Sequence, residues 1–248
     1  MTLLLVIVFS LLGGIVSVLL AATVLVVRRD VVERAMPRLI AFSTGTLLGS
    51  ALLGMLPHAA ESLEGVPLFR TVLLSLAGFY VLEKALVWRH CHAQDCEVHA
   101  HSGPLLLLGD AVHNFVDGVV IAGAFLTSVP LGIATALSTI AHEVPQELGE
   151  FIVYLKQGYS RGRALFLNAA TSLTTLVGAG LGYFYFANVR QAGAYFLSIA
   201  AGGFLYVALA DLIPSQRGRT HPRESVADLG LILVGIAIIA LVTGGHEH

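Results

Sequence analysis

The chain has 248 residues, of which 56% are hydrophobic and only 12% are charged, and its formal net charge is −2. An ordinary soluble domain has roughly 45–50% apolar and about 25% charged residues, so this composition excludes a soluble globular protein and indicates a membrane protein. The small net charge gives no extended basic surface, which argues against nucleic acid as a partner.

Eight apolar segments are long enough to cross a bilayer, whose hydrocarbon core of about 30 Å needs ~20 residues of helix. In chain order they are Thr2–Val27, Pro37–His58, Phe69–Trp88, Pro104–Leu126, Leu131–Leu155, Ala164–Phe186, Ala192–Pro214 and Val226–Val242. The first has no basic residue before it and is about twice the 7–15 residues of a signal-peptide core, so we expect it to remain as a spanning helix. No polar stretch is long enough to form a separate core. The sequence therefore predicts an all-α integral membrane protein, with residues 1–248 in one transmembrane domain.

The basic residues indicate how these helices are oriented. All but two of the 14 Lys and Arg residues flank the first, third, fifth and seventh connections, and only Arg70 and Arg190 lie on the opposite side. By the positive-inside rule, both termini then lie outside the cytoplasm. Cys91 and Cys96 fall on the cytoplasmic side, where a disulfide is not expected. The compact length is typical of a prokaryotic protein, which favours the plasma membrane.

A weak internal repeat relates the second and seventh predicted helices. The segment GTLLGSALLGMLPH, from Gly45, aligns with GGFLYVALADLIPS, from Gly202, with five matches that include Pro57 with Pro214. These helices run in opposite directions in the predicted topology, as an inverted repeat requires. The alignment predicts that helices one to three mirror helices six to eight, with helices four and five between them. The alternative is that so few matches arise by chance.

Helices four and five carry polar motifs among apolar neighbours. HNFVDG begins at His113, and HEVPQELGE begins at His142. His113 and Asp117 are four residues apart, as are His142 and Gln146, so each pair lies on one helical face. The very short link around Thr127–Pro130 requires the two helices to pack antiparallel. Both histidines then fall near the bilayer midplane.

The two polar faces together offer imidazole nitrogens, a carboxylate and an amide oxygen, which suit Zn²⁺ and tolerate other divalent transition metals. One position along, Asn114 and Glu143 form a second potential ligand set, toward which Asp117 and Gln146 can also reach. A single polar residue here is better explained by a hydrogen bond between helices. Hydrogen bonds between helices do not explain the whole set, because each buried charge costs at least ~2.5–3.5 kcal/mol and no Lys or Arg lies between Pro104 and Leu155. A divalent cation, protons or a water-filled cavity are the available compensations.

These motifs resemble those of the ZIP family of divalent metal transporters, in the branch whose fourth helix reads HNFxDG and whose fifth reads HExPHExGD. The chain departs from that pattern at Gln146, where the branch usually has His, and at Glu150, where it has Asp. LPHAAESL in the second helix and GGFLYVALADLIP in the seventh are similar to the same branch. The resemblance implies a 3+2+3 arrangement of eight helices in a transporter, not an enzyme, that moves zinc toward the cytoplasm.

The resemblance also implies a binuclear metal site between helices four and five. Its primary position would consist of His113, Asp117, His142 and Gln146, and its second of Asn114, Glu143 and the shared Asp117 and Gln146. Because Gln146 removes one imidazole, Fe²⁺, Mn²⁺ and Cd²⁺ remain open as substrates beside Zn²⁺. No cofactor is expected. The expected partners are divalent metal ions and membrane lipids, and a homodimer is left open.

Further candidate ligands lie near the helix ends. The third connection, RHCHAQDCEVHAHSG at 89–103, contains four His and two Cys and is typical of a flexible cytoplasmic metal-binding loop. Its spacing is not that of a structural zinc site, so we expect weak metal capture, with an inert polar loop as the alternative. His58 and Glu61 at the outer end of helix two, and Asp211 near the inner end of helix seven, are candidates for entry and exit or for surface and capping roles.

The sequence leaves two other functions open. HEVPQ is one residue from the HExxH of a zinc metalloprotease, in which two imidazoles hold zinc and Glu activates water, but Gln146 replaces the second His and Pro145 disrupts the helix. The other alternative is a membrane receptor that binds metal without moving it. For a transporter we expect alternating access, with the midplane ligands exposed first to the outside and then to the cytoplasm.

Overall fold

The computed structural model describes residues 1–23, 27, 29–63, 65–88, 103–188, 193–216 and 222–244. Within these residues the chain forms eight helices and no strand. They are α1 (Thr2–Ala22), α2 (Arg29–Gly49, Ser50–Met55 and Leu56–Ala60 in succession), α3 (Val66–Trp88), α4 (Gly103–Thr127), α5 (Val129–Lys156), α6 (Arg161–Asn188), α7 (Gly193–Tyr206, Val207–Leu212 and Ile213–Ser215 in succession) and α8 (Pro222–Gly244). The prediction of an all-α protein is confirmed.

Seven of these eight helices are long and apolar enough to cross a membrane, and the chain is an integral membrane protein. The exception is α5, whose 28 residues are long enough but include Glu143, Glu147 and Glu150. All three side chains are buried inside the protein. Such a helix is compatible with a bilayer because other helices, rather than lipid, surround its carboxylates.

Several helix ends differ from those that hydropathy predicted, and the two largest differences are at α1 and α2. α1 ends at Ala22 rather than Val27, and α2 begins at Arg29 rather than Pro37. The added turns of α2 include several charged residues. These residues are compatible with a helix, but their low hydropathy kept them out of the predicted membrane span. Pro37 lies inside α2. Hydropathy therefore located the apolar part of this helix but not its first residue.

π-helical turns interrupt α2 and α7 at corresponding places. One comprises Ser50–Met55 and the other Val207–Leu212. The sequence alignment that pairs Gly45 with Gly202 also pairs the first residues of these two segments, and a proline follows each segment after one residue. π-helical turns distort a helix locally and are frequent at functional sites. Two parts of the chain with weak sequence similarity thus share the same uncommon backbone feature.

The helices pack into two groups. α1, α4, α5 and α6 all contact one another. In the second group, α2 contacts α7 and α8, and α3 contacts α7. α5 makes most of the contacts between the groups, chiefly with α2. Glycines allow very close approach within each group: a Cβ atom on Gly178 of α6 would lie 2.0 Å from the Phe115 carbonyl oxygen, and one on Gly45 of α2 would lie 2.1 Å from that of Ile232. Small residues at such crossings are typical of membrane helices.

Small polar side chains connect α5 to α2 across the boundary between the groups. Ser138 donates a hydrogen bond to the Thr46 carbonyl oxygen at 2.9 Å, and its hydroxyl lies 2.6 Å from that of Ser50. Ser43 donates to the Ala141 carbonyl oxygen. These contacts fix the turn of α5 that immediately precedes the HEVPQELGE motif.

Candidate metal centre

α4 and α5 are joined by one residue, which places their polar motifs side by side. α4 ends at Thr127 and α5 begins at Val129. Ser128 caps α5, because its hydroxyl accepts a hydrogen bond from the Leu131 amide at 3.3 Å; this is the usual role of serine before a helix. Pro130 lies in the first turn of α5, where the missing N–H leaves no helical bond unmade. The link is as short as the sequence predicted.

Four side chains converge between α4 and α5, namely His113, Asp117, His142 and Glu143, and we call them the four-residue centre. One ligand atom from each lies within 4.8 Å of the others. His142 Nε2 lies 3.0 Å from Asp117 Oδ2, and His113 Nε2 lies 3.3 Å from Glu143 Oε1. Two imidazoles and two carboxylates at this spacing are a suitable ligand set for Zn²⁺.

The His142 ring is oriented by its surroundings on three helices. Its Nδ1 donates a hydrogen bond to the Ser138 carbonyl oxygen at 2.8 Å, which leaves Nε2 of the neutral ring as the acceptor atom that faces the centre. Ser138 is in turn held by α2 through Thr46. The Phe204 ring of α7 packs edge-on, with its centroid 6.0 Å from that of His142. The nitrogen that would bind a metal is therefore directed toward the centre by the fold itself.

Three of the four side chains of the four-residue centre are buried, and two of the four are carboxylates. His142, Glu143 and Asp117 are only 2%, 3% and 4% exposed, whereas His113 keeps 24% of its side chain accessible. No Lys or Arg occurs between residues 103 and 155, and Glu143 Oε2 has no hydrogen-bond partner. Because a buried carboxylate is costly without a partner, the donor set fits a bound divalent cation.

A cavity of about 340 Å³ adjoins the centre. His113, Asp117 and His142 form part of its wall, together with Glu83 of α3 and Asp211 of α7. The last two lie near the C-terminal ends of their helices, on the side that the basic residues predict to be cytoplasmic. The sequence had identified Asp211 as a candidate residue for metal exit. It had not identified Glu83, because the sequence does not show that α3 packs against α7.

Asn114 and Gln146, two of the ligands expected from sequence, contact Asp110 rather than the four-residue centre. Asn114 Nδ2 donates to Asp110 Oδ1 at 2.8 Å. Gln146 Nε2 lies 3.3 Å from Asp110 Oδ1 and 3.4 Å from Glu150 Oε1. The sequence reasoning did not single out Asp110, although its spacing of four residues from Asn114 was a usable signal.

The remaining candidates lie apart from the centre. His58 Nδ1 donates to the Gly54 carbonyl oxygen at 2.9 Å, and Glu61 is exposed at the end of α2. The His- and Cys-containing loop lies outside the described residues over 89–102, as do His246 to His248. Metal capture by that loop stays a prediction.

Comparison with known proteins identifies sequences similar to this chain. The model of the ZIP zinc transporter family matches residues 87–243. The zinc transporter ZIP13 of Pongo abelii is 31% identical over 82% of this chain and 66% of its own length. The zinc transporter ZIP4 of Mus musculus is 47% identical over 45% of this chain and 17% of its own length. The zinc transporter YKE4 of Saccharomyces cerevisiae is 25% identical over 89% of this chain and 74% of its own length.

The chain spans less than two thirds of the Pongo abelii ZIP13 and Mus musculus ZIP4 sequences, and more than two thirds of the YKE4 sequence. The region matched by the family model includes all four residues of the centre, and each of these relatives is named as a zinc transporter.

Proposed function

The chain belongs to the ZIP family of zinc transporters, and we propose that it carries divalent transition-metal cations, chiefly Zn²⁺, across a membrane into the cytoplasm. The observation that carries this proposal is the buried four-residue centre between two membrane helices. A bound divalent cation would balance the charges of Asp117 and Glu143. No Lys or Arg lies between residues 103 and 155 to balance them instead. The proposal therefore accounts for the otherwise unfavourable burial of these two carboxylates.

The ligand types favour zinc without excluding related metals. Imidazole suits Zn²⁺ and Fe²⁺, and carboxylate oxygens suit Mn²⁺. The centre contains two ligands of each kind, and Gln146 stands where the family pattern has a third imidazole. We therefore propose Zn²⁺ as the main substrate, with Fe²⁺, Mn²⁺ and Cd²⁺ as candidates to be tested by competition.

We also propose that the site is binuclear. In this arrangement, the first ion is bound by His113, Asp117, His142 and Gln146. The second is bound by Asn114 and Glu143 and shares Asp117 and Gln146 with the first. Both amides lie one contact away from the centre, at Asp110, so their oxygens would have to turn toward the centre to bind an ion. The present hydrogen bond from Thr175 to Asn114 Oδ1, at 2.9 Å, would have to break.

Alternating access is the transport mechanism that we propose. Three observations support it: the helices form two groups, the cavity meets the centre along the boundary between the groups, and the π-helical turns of α2 and α7 lie at corresponding positions. Movement of one group against the other would open the centre to each side in turn. An inverted repeat of helices 1–3 against 6–8 would pair α1 with α6, α2 with α7 and α3 with α8, and each of these pairs lies within one group.

The distribution of charged residues supports the proposed direction of transport. The cavity wall reaches Glu83 and Asp211, on the side that the basic residues assign to the cytoplasm, so a cation leaving the centre would pass these carboxylates. We propose the plasma membrane as the location, with both termini outside the cytoplasm and lipid around the helices. For the oligomeric state, we propose a homodimer.

The geometry disfavours an intramembrane metalloprotease. In an HExxH site, both residues at the histidine positions ligate the metal while Glu activates water. Here Gln146 occupies the second of these positions and its amide is directed to Asp110 and Glu150. Glu143, the residue at the position of the catalytic Glu, belongs to the candidate ligand set itself.

Uptake into proteoliposomes tests the proposed function. The purified chain is reconstituted, ⁶⁵Zn²⁺ is added outside, and retained label is compared with that of protein-free vesicles. Transport gives label that accumulates with time and is released by an ionophore. Label that saturates at the amount of protein, and is removed by an external chelator, would identify a receptor that binds metal without moving it.

A further inference from the structure

The side-chain amide of Asn114 is held by hydrogen bonds on both its nitrogen and its oxygen. Its Nδ2 donates to Asp110 Oδ1 at 2.8 Å and lies 3.2 Å from the Asp110 carbonyl oxygen. Its Oδ1 accepts a hydrogen bond from the Thr175 hydroxyl of α6 at 2.9 Å. Asn114 and Thr175 are both buried, at 2% and 4% exposed. A buried side chain that is paired in this way has one preferred orientation, because any other would leave polar atoms without partners.

The partners of Asn114 determine which end of the amide faces each of them. The Asp110 carbonyl oxygen is an acceptor, so the amide nitrogen must face Asp110. The amide oxygen then faces α6, where the Thr175 hydroxyl donates to it. An amide binds a cation only through its oxygen. Thr175 therefore occupies the one atom of Asn114 that could serve as a metal ligand.

Thr175 uses its hydroxyl differently from the neighbouring threonines of α6. The hydroxyls of Thr171 and Thr174 each donate to a carbonyl oxygen of α6 itself, as threonine commonly does inside a helix. Thr175 donates to a side chain of α4 instead. The backbone around it is tightly packed against α4, since a Cβ atom on Gly118 would lie 1.9 Å from the Thr175 carbonyl oxygen. The Thr175 hydroxyl is thus held in place, and the hydrogen bond breaks if the Asn114 amide turns toward the centre.

We propose that Thr175 is a positioning residue that makes the second ion position weaker than the first. This inference rests on the binuclear site proposed above, in which Asn114 belongs to the second position only. His113 and His142 already face the centre, so the first ion binds side chains that are in place. The second ion must also break the hydrogen bond from Thr175 to Asn114. Gln146 is shared by both positions and does not distinguish them. The two ions therefore bind in sequence, the second with lower affinity.

A Zn²⁺ titration of the purified full chain tests this proposal. The protein is stripped of metal in detergent, and binding is followed by calorimetry. The class of sites that is lost in Asn114→Ala identifies the second position. Thr175→Val keeps the shape of the side chain but removes the hydroxyl. We expect the dissociation constant of the second position to fall about 10-fold in Thr175→Val, as the loss of one hydrogen bond to the closed amide implies, while that of the first position stays unchanged.

Two further variants separate positioning of Asn114 from packing. Thr175→Ser keeps the hydroxyl and should give the wild-type dissociation constants. Thr174→Val removes the adjacent hydroxyl, which donates to the Ala111 carbonyl oxygen across the same helix contact at 2.7 Å, and should change neither constant. Should Thr175→Val fail to fold, Thr175→Ala also lacks the hydroxyl and should give the same 10-fold change.

Three results overturn the proposal. The first is that Asn114→Ala loses no class of sites, because Asn114 then binds no ion. The second is that removal of the Thr175 hydroxyl weakens the second position or leaves it unchanged. The third is that Thr174→Val changes the second position as much as Thr175→Val does, because the effect then comes from helix packing. Failure of the transport proposal is separate: a chain that shows these binding constants but accumulates no ⁶⁵Zn²⁺ in vesicles contradicts transport alone.

Discussion

The Nε2 atoms of His113 and His142 lie 3.1 Å apart, with their rings perpendicular. Two nitrogens bound to one tetrahedral zinc at ~2.0–2.1 Å would be about 3.3 Å apart. The two imidazoles are therefore close to the separation that one ion would impose on them. Little of the free energy of binding is needed to bring them together, which is the advantage of a preorganised site.

Loss of a centre ligand should abolish transport while the protein stays folded. We expect His142→Ala and Asp117→Ala each to reduce ⁶⁵Zn²⁺ uptake by proteoliposomes to the level of protein-free vesicles, because the remaining ligands hold the ion poorly. Size-exclusion elution in detergent should be unchanged, since removing a buried ionisable group costs little in a membrane. Glu224→Ala, which removes an exposed carboxylate in the first turn of α8, is the matched control and should transport normally. Normal uptake by Asp117→Ala would refute the site assignment.

Replacing Gln146 by histidine should increase the preference for zinc. The substitution restores an imidazole where the chain has an amide, and imidazole discriminates against Mn²⁺ more strongly than an amide oxygen does. We expect a Gln146→His protein to need a higher concentration of Mn²⁺ than the wild type to halve ⁶⁵Zn²⁺ uptake. An unchanged competition curve would mean that the side chain at this position does not reach the transported ion.

A matched pair of glycines on α6 should separate packing from helix propensity. Gly178→Ala places a Cβ atom 2.0 Å from the Phe115 carbonyl oxygen, whereas nothing lies within 4 Å of a Cβ atom on Gly180. We expect Gly178→Ala to destabilise the protein by about 1–3 kcal/mol, as overpacking does, and therefore to lower the thermal unfolding temperature in detergent. Gly180→Ala should not lower it. Equal effects of the two substitutions would contradict the close contact of α4 with α6.

The cavity should be open to the cytoplasmic side. Val112 lies on its wall beside His113, so Val112→Cys, in a protein whose Cys91 and Cys96 are replaced by Ser, should react with a membrane-impermeant thiol reagent in inside-out vesicles. Leu233→Cys, at a position 55% exposed on α8, is the control and should not react, because lipid would cover it. Labelling of Val112→Cys only in right-side-out vesicles would reverse the orientation that we propose.

Local patterns in the sequence were sufficient for the helices and for the candidate ligands. Hydropathy located the eight helices because a membrane span needs a long apolar run, and it missed the start of α2 because charged turns outside the apolar run are also helical. The spacing of four residues from His113 to Asp117 indicated a shared face, since a helix repeats every 3.6 residues. Both features depend only on residues close together in the chain.

Which ligands meet was decided by the tertiary structure. The sequence grouped Gln146 with His142, whereas in the folded chain Glu143 lies at the four-residue centre and Gln146 lies between Asp110 and Glu150. The cavity that brings Glu83 near this centre was likewise not visible in the sequence. Periodicity determines which residues share a helical face, but the rotation of one helix against another depends on contacts between distant segments, such as those of α5 with α2 and of α4 with α6. Those contacts exist only after the helices have packed.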